Sequence, residues 1–455
     1  MPEILDRAAL RAYAEECRPE FEKHLKTLVE IPSVSMDPGH RKDVEKCAKA
    51  AAKLLEKMGA KAKVKKTDGH PVVLGHLKTG KKNKTVTVYN HLDVQPAGGP
   101  EWERKPFKMA VEGDRYYARG ATDDKGPALT ALLAARHAVE SGVPINVRFI
   151  WELEEEIGSP SFEKFMRKEA AKIPTDSVVV SDTIWVSRTK PAVSAGLRGL
   201  QGAILRLETG TKDTHSGLTG GAARNPLAEL AAVVAKCVDA KTGRVLIPGF
   251  YDDVVPPTRG ELKWFRECGF SVPGFKKAHG LTKLRHQDAL KVMKAIWAQP
   301  TFEVHGFAGG YQGPGVKTAV PPWGEAKVSM RLVPNQTPRK ALQLLRKHVR
   351  TLNRDVRITD ESALAPYRGV TTGPFAKAAA DAIRFAYGKT PAVVREGGSI
   401  GAIVTMEKTL KCPITFIGLS LPEHGYHAPN EYYDWGQACG GMQAFAKYFE
   451  LVSGI

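Results

Sequence analysis

The chain has 455 residues, more than one hydrophobic core usually serves, so two domains are expected. Its 42% hydrophobic and 25% charged residues exclude a disordered chain, a collagen-like fibre and a small disulfide scaffold. With 67 basic and 49 acidic residues the net charge is +18, yet the excess is diffuse and no nucleic-acid-binding motif accompanies it.

The N-terminal stretch MPEILDRAALRAYAEEC is charged, reads as helical and lacks the apolar core of a secretion signal. Residues 20–60 continue as helix, with a break at IPSVSMDPG. The two densest basic stretches, KAKVKK at 61–66 and KKNK at 81–84, read as solvated faces beside strands. An apolar strand at 85–90 (TVTVYN) runs into HLDV. A helix from about Gly126 to Ser141 follows, then a strand at 146–152, a helix near 161–172 and a strand at 177–181. Short apolar strands separated by helices of this length predict an α/β fold with a mostly parallel, doubly wound sheet.

From about Leu197 the texture changes. GAILRLET alternates with a period of two, as a strand with one wet face does. Asn225 and Pro226 then open a helix, Asn as cap and Pro in the first turn. A strand, AKVSMRLVP, precedes a helix at 337–352. These elements predict a smaller α+β lid domain inserted into the first. Near 368–372 the chain returns to helix (FAKAAADAIRFAYG) and to a buried strand at 413–419 (PITFIGL). The expected division is a catalytic domain over 1–196 and 368–455, with the lid over 197–367. No apolar run reaches the ~18–20 residues that span a bilayer.

Ligands of open α/β sheets bind beyond the carboxyl ends of the strands. The first strand ends in His91-Leu92-Asp93, the second in Glu154-Glu155-Glu156 and the third in Asp182. The strand at 413–419 leads to His424 and His427, and Asp123 and Asp124 stand directly before a helix. Each signal is weak alone: His-x-Asp is usually structural, three glutamates a solvated face, Asp-Asp a helix cap. Together, on one sheet edge, they are what a two-metal hydrolytic site needs. Zinc-like ions take imidazole nitrogen and carboxylate oxygen. Two neighbouring ions need a bridging carboxylate against their mutual repulsion. His-x-Asp lets a carboxylate hold the second imidazole nitrogen, and adjacent glutamates can divide ligation from proton transfer.

The motifs YNHLDVQPAG, ARGATDDKGP, ELEEEIGS, SDTIW, GLRG, HSGLTGG, KTAVPP, SMRLVPNQTP, REGGSI and GYHAPNE cover nearly the whole chain. In combination they resemble the cocatalytic metallopeptidase family of cytosolic and carnosine dipeptidases, aminoacylases, glutamate carboxypeptidase and succinyl-diaminopimelate desuccinylase. Their wording is nearest to the dipeptidase branch. The resemblance implies two divalent ions per subunit, Zn2+ first and Mn2+ or Co2+ as alternatives. Asp123 would bridge them, His91 and Asp182 would hold one, and Glu156 and His427 the other. Asp93 would orient His91, Glu155 would act as general base, and Glu154 would be a bystander. The bond between Asp123 and Asp124 would be cis. His215 would reach across a homodimer, formed through the lid, to donate to the scissile carbonyl. Arg331 would grip the substrate carboxylate, with Thr318, Ser399 and Gly398 touching substrate and Gly397-Gly398 allowing close backbone approach.

The expected activity is therefore metal-dependent dipeptide hydrolysis, with no nucleic-acid or membrane partner. The six scattered cysteines read as free thiols of a reducing cytoplasm. Deacylation of N-acyl amino acids is the alternative on the same site. A catalytically dead basic binding protein is the alternative from another class.

Overall fold

The structure is a computed structural model that describes residues 4–455. Met1–Glu3, where the expected N-terminal helix begins, lie outside the described residues. Helix α1 (Arg7–Val29) starts at Asp6, whose side chain accepts the N–H groups of Ala8 and Ala9, and α2 (Arg41–Lys57) follows the predicted break. Then come β1 (Lys61–Lys65), β2 (Val72–Leu77), β3 (Lys84–His91), β4 (Ala110–Glu112), β5 (Arg115–Tyr117), α3 (Gly126–Glu140), β6 (Ile145–Glu152), α4 (Phe162–Glu169) and β7 (Ser177–Val180). KAKVKK is thus itself an edge strand: β1 pairs antiparallel with β2, and its side chains are mostly solvated.

Next, β8 (Ala192–Leu197) leads into β9 (Gly199–Glu208), β10 (Thr214–His215), α5 (Ser216–Thr219) and α6 (Pro226–Cys237). Three short helices follow, α7 (Arg259–Glu267), α8 (Val272–Ala278) and α9 (Ala289–Met293), and then β11 (Thr301–Ala308), β12 (Ala319–Val320), β13 (Trp323–Leu332), α10 (Pro338–Leu352) and β14 (Arg357–Leu364). The chain closes with β15 (Tyr367–Arg368), α11 (Pro374–Tyr387), β16 (Ala392–Glu396), α12 (Gly401–Leu410), β17 (Ile414–Phe416), β18 (Tyr432–Asp434) and α13 (Trp435–Ser453).

The main sheet has the order β1-β2-β6-β3-β7-β17. β6, β3, β7 and β17 run parallel, and β2 and β1 add an antiparallel edge. Its central strands are buried along nearly their whole length, as strands covered on both faces must be. Val86, Val88, Val147, Phe149 and Val179 point into one core with α1, α2, α3, α11 and α13. The alternate residues Tyr89, Ile150, Val178 and Val180 point into a second core with α4 and α12. This two-sided packing is the doubly wound α/β architecture, and it places the ends of β3, β6 and β7 side by side.

A second, antiparallel sheet of order β11-β13-β9-β14 carries α6 and α10 on one face. Leu205, Leu207, Val328 and Met330 meet Leu230, Val233, Leu345 and Val349 there. Asn225 caps α6 as predicted, accepting from Leu227 and Ala228. The short helices α7–α9 do not join this layer. Phe265, Met293 and Trp297 pack instead on Ala192 of β8 and Val394 of β16. No helix among the described residues is long and apolar enough to cross a membrane.

Candidate metal centre

Two clusters of ligand-type atoms form where β3, β6 and β7 end. His91, Asp123 and Asp182 make one, and Asp123, Glu156 and His427 the other, with the atoms of each within 4.8 Å of one another. Asp123 belongs to both. Its Oδ1 lies 2.8 Å from His91 Nε2 and its Oδ2 lies 3.1 Å from His427 Nε2. His427 Nε2 is also 3.2 Å from Glu156 Oε2, and Asp182 Oδ2 stands 3.9 Å from His91 Nε2.

Local structure holds each group in place. Asp123 sits in an irregular turn between Gly120, at φ 83°, and α3, and its bond to Asp124 is cis. Glu431 accepts the main-chain N–H groups of Gly120 at 2.9 Å, Thr122 at 2.9 Å and Asp123 at 3.1 Å, and Arg119 Nη1 donates to it at 2.8 Å. Gln95 donates to both oxygens of Glu156, from its main chain at 3.1 Å and its side chain at 2.7 Å. The Tyr426 phenol donates to Asp182 Oδ1 at 3.1 Å.

Asp93 departs from the expected arrangement. Its main-chain oxygen is 3.1 Å from His91 Nδ1, while its carboxylate stands 3.5 Å away. That carboxylate instead accepts the N–H groups of Glu155 at 3.2 Å and Glu156 at 3.1 Å. Asp93 therefore orients the histidine and both glutamates together. With Nδ1 facing acceptors, that nitrogen keeps its proton, and Nε2 is the one that would give its proton up to ligate a cation.

The electrostatics favour cations. Burial opposes a charged His91, but Asp123 and Asp93 outweigh it and hold its pKa well above the usual value. Burial likewise opposes a charged His427, which Asp123 and Glu156 nevertheless push up to about 11. Burial and the neighbouring Asp123 raise Asp182 to about 6, and burial raises Glu155 and Glu156. The two charged imidazoles do not balance the carboxylates crowded around them.

The residues fit a pair of divalent ions. The donors are imidazole nitrogen and carboxylate oxygen, the set zinc-like ions take. Among the described residues no well-aligned donor meets the buried Asp123 Oδ2, although His427 Nε2 is 3.1 Å away, the relation of two atoms that could share an ion. Asp123 is placed to serve both ions.

Glu155 lines the same cleft of about 400 Å³, as do Arg331, Gly398, Ser399, Tyr426 and His427. That volume suits a small ligand. Arg331 Nη1 donates to Ser399 Oγ at 3.0 Å, and burial lowers its pKa. At the Gly397-Gly398 pair, the tight position is Gly397: an added Cβ would lie 3.3 Å from Arg198 Nη2 and from Ile296 O, whereas one at Gly398 meets open space. Glu154 is buried and structural, accepting from the main chains of His70 and Ser161. His424 is buried against Thr122 and Asp434, in neither ligand cluster.

His215 and Thr318 stand apart from this cleft. Both are exposed, on the paired strands β10 and β12 and the loop beside them, and the Thr318 carbonyl accepts from Ser216, next to His215. Gly217 N–H donates to His215 Nδ1 at 2.9 Å, which leaves the ring proton on Nε2. Leu218, 85% exposed, and Val316, 92% exposed, flank them. A larger groove of about 810 Å³, lined by Arg7, Arg11 and Trp435, contains none of these ligands.

Sequence reasoning missed Glu431, Gln95, Tyr426 and Glu396 as parts of the site. Glu431 lies within the quoted GYHAPNE motif, and its glutamate beside a ligand loop was the available signal. Gln95, two residues beyond Asp93, lies within the quoted YNHLDVQPAG motif.

The family model described as Peptidase family M20/M25/M40 matches residues 87–451. The chain is similar to the Cys-Gly metallodipeptidase dug1 of Schizosaccharomyces pombe, 32% identical over 96% of each chain. It is similar in structure to human carnosine dipeptidase 1, with a TM-score of 0.89, 28% identity and coverage of 98% of this chain and 99% of that one. A metallo-carboxypeptidase, Sso-CP2 from Sulfolobus solfataricus, also has a TM-score of 0.89, with 33% identity over 96% of this chain and 100% of that one. With a dinuclear ligand set at the strand ends and a family match over most of its length, the chain belongs to peptidase family M20/M25/M40.

Proposed function

We propose that this protein is a metal-dependent dipeptidase. The observation that carries the reading is the shared Asp123, joining two ligand clusters in one cleft with Glu155 and Arg331. His91, Asp123 and Asp182 would hold one ion, and Asp123, Glu156 and His427 the other; zinc suits the set best. When bound, the ions supply Lewis acidity and a water acidic enough, near a pKa of about 7, to serve at neutral pH.

Glu155 takes the proton of the attacking water and returns it to the leaving amine. Two main-chain donations to Asp93 hold Glu155 and Glu156 at fixed relative positions, so ligation and proton transfer stay on separate side chains. Arg331 pairs bidentately with the terminal carboxylate, and its bond to Ser399 aims it. His215, which does not line the cleft of its own chain, acts from a second copy of the chain. Its Nε2 proton meets the developing oxyanion there, and Thr318 arrives with it. The exposed Leu218 and Val316 become buried in that homodimer. Free thiols at all six cysteines accord with a reducing cytoplasm.

Similarity to the Sulfolobus carboxypeptidase favours a second reading, release of the C-terminal residue from longer peptides, for which Arg331 would serve equally. The test is amide hydrolysis by chelator-stripped protein with zinc or manganese restored. The panel holds unblocked dipeptides, a β-alanyl dipeptide, tripeptides, and N-acetyl and N-succinyl amino acids. Metal-dependent cleavage of dipeptides is expected. Turnover of only tripeptides would favour the carboxypeptidase, and turnover of only acylated compounds would make the protein a deacylase.

A further inference from the structure

The Lys125 side chain is buried completely, yet no ion pair among the described residues includes it. Its ammonium donates to two main-chain carbonyls, Leu28 at 2.9 Å and Ile31 at 3.1 Å, where α1 ends and the chain turns. Burying an ammonium is costly unless its donors are met, and a lysine that only capped α1 could do so from the surface. Lys125 instead follows the shared ligand Asp123 by two residues. Its own N–H donates to the Gly120 carbonyl at 3.1 Å and closes the irregular turn.

The segment that the ammonium grips backs the metal centre. The Ile31 carbonyl also accepts the Ser33 N–H at 2.8 Å. Ser33, itself buried, donates from Oγ to the Leu92 carbonyl at 2.6 Å and accepts the Val94 N–H at 3.0 Å. Those two bonds hold Asp93 from either side. Asp93 in turn faces His91 Nδ1 with its main-chain oxygen and accepts the N–H groups of Glu155 and Glu156. A continuous run of hydrogen bonds therefore leads from Lys125, through Ile31 and Ser33, to the residue that orients one histidine and two glutamates.

We propose that Lys125 is a positioning residue of the metal centre, setting the end of α1 so that Ser33 fixes Asp93. One side chain then joins the turn of the shared ligand to the segment behind the first strand end. This rests on the metal-centre reading of the two ligand clusters and deepens it. A methionine at 125 keeps the length and removes the donors, so the Leu28 and Ile31 carbonyls lose them and Asp93 is free to shift. Ser33→Ala cuts the same run at its other end.

The test uses wild type, Lys125→Met, Ser33→Ala and the double variant, each stripped with chelator and reloaded. Calorimetric titration gives ion affinity, and the visible spectrum of the Co2+-loaded protein reports ligand geometry. Thermal midpoints identify a variant that has not folded. Lys125→Met should bind the ions about 10-fold more weakly, the lower end for residues that orient ligands, and shift the Co2+ bands. With zinc saturating, kcat on alanyl-alanine should fall about 10-fold at nearly unchanged KM. Ser33→Ala should act in the same direction, and the double variant should be no worse than Lys125→Met, because both cut one run. Folded variants with wild-type ion affinity and Co2+ spectrum, lowered in thermal midpoint alone, would make Lys125 a helix cap and overturn the proposal. Fully additive losses in the double variant would overturn it too. If Lys125→Met does not fold, Ser33→Ala decides, and wild-type affinity and spectrum there overturn the proposal. Wild type that binds no ion on reloading would instead overturn the metal centre itself, and this inference with it.

Discussion

The main-chain N–H of Asp123 donates to the carboxylate of Glu431 at 3.1 Å, across 308 residues of chain. Glu431 lies four residues after His427, and Arg119, which donates to Glu431, also reaches the His427 carbonyl at 3.3 Å. One carboxylate thus ties the turn that carries the shared ligand to the loop that carries another. A glutamine here keeps one acceptor and turns an NH2 group toward main-chain donors. Glu431→Gln should weaken metal binding about 10–100-fold, the range for partners that orient ligands. Calorimetric titration of chelator-stripped protein reads this directly, and an unchanged affinity would remove Glu431 from the metal site.

Glu155 lines the cleft but belongs to neither ligand cluster, so its replacement should separate chemistry from binding. Glu155→Gln should retain two ions per chain and lose at least about 100-fold in kcat, the lower end of general-base contributions. KM should move little. Loss of an ion from this variant, with Glu156→Gln retaining both, would reverse the assignment of the two glutamates.

The strand ends were legible because buried parallel strands read as short apolar runs, and chemistry accumulates just after them. His91, Glu155, Glu156 and Asp182 were found in that way. Helices with a clear cap or a long apolar stripe were legible too, as Asn225 shows for α6. β1 was not, because an edge strand whose side chains face water looks like a charge run. Nor were α7–α9, at 9, 7 and 5 residues too short for a periodic stripe to emerge. Glu431 and Tyr426 lie within the GYHAPNE motif, but their partners are more than 240 residues away, so the motif does not reveal what they hold.

Asp434 gives the fold an acid-sensitive brace. It accepts from Arg188 Nη1 at 2.8 Å, Gln437 N at 2.9 Å and His424 Nε2 at 3.0 Å. Burial opposes its charge, but His424 and the other donors outweigh this and hold the carboxyl at about 2, below its ordinary 3.8. A lowered acid stabilises the fold above the unfolded-state value and loses that contribution as pH falls, here from about 4 to about 2. Asp434→Asn should therefore cost about 2 kcal/mol near neutral pH, a gap that narrows below about pH 4. Urea unfolding of both proteins near neutrality and near pH 3 measures it. A gap that stays constant would assign the loss to packing rather than charge.

Among the ligand-type residues, Tyr426 hydrogen-bonds to Asp182 alone. Its phenol donates to Asp182 Oδ1, which leaves Oδ2 turned toward His91 Nε2 at 3.9 Å. Its ring is stacked near that of His427, at 6.4 Å between centroids and 24° between planes. Tyr426→Phe preserves the ring and removes the donor, so Asp182 loses the bond that fixes which oxygen it presents. On the proposed assignment, the ion that His91 and Asp182 would hold should then bind about 10-fold more weakly, and the one that Glu156 and His427 would hold should be unaffected. Titration of the stripped variant should resolve two unequal sites, with kcat falling in parallel with occupancy of the weaker one. Two sites of wild-type affinity, with a change in KM alone, would reduce Tyr426 to part of the cleft wall.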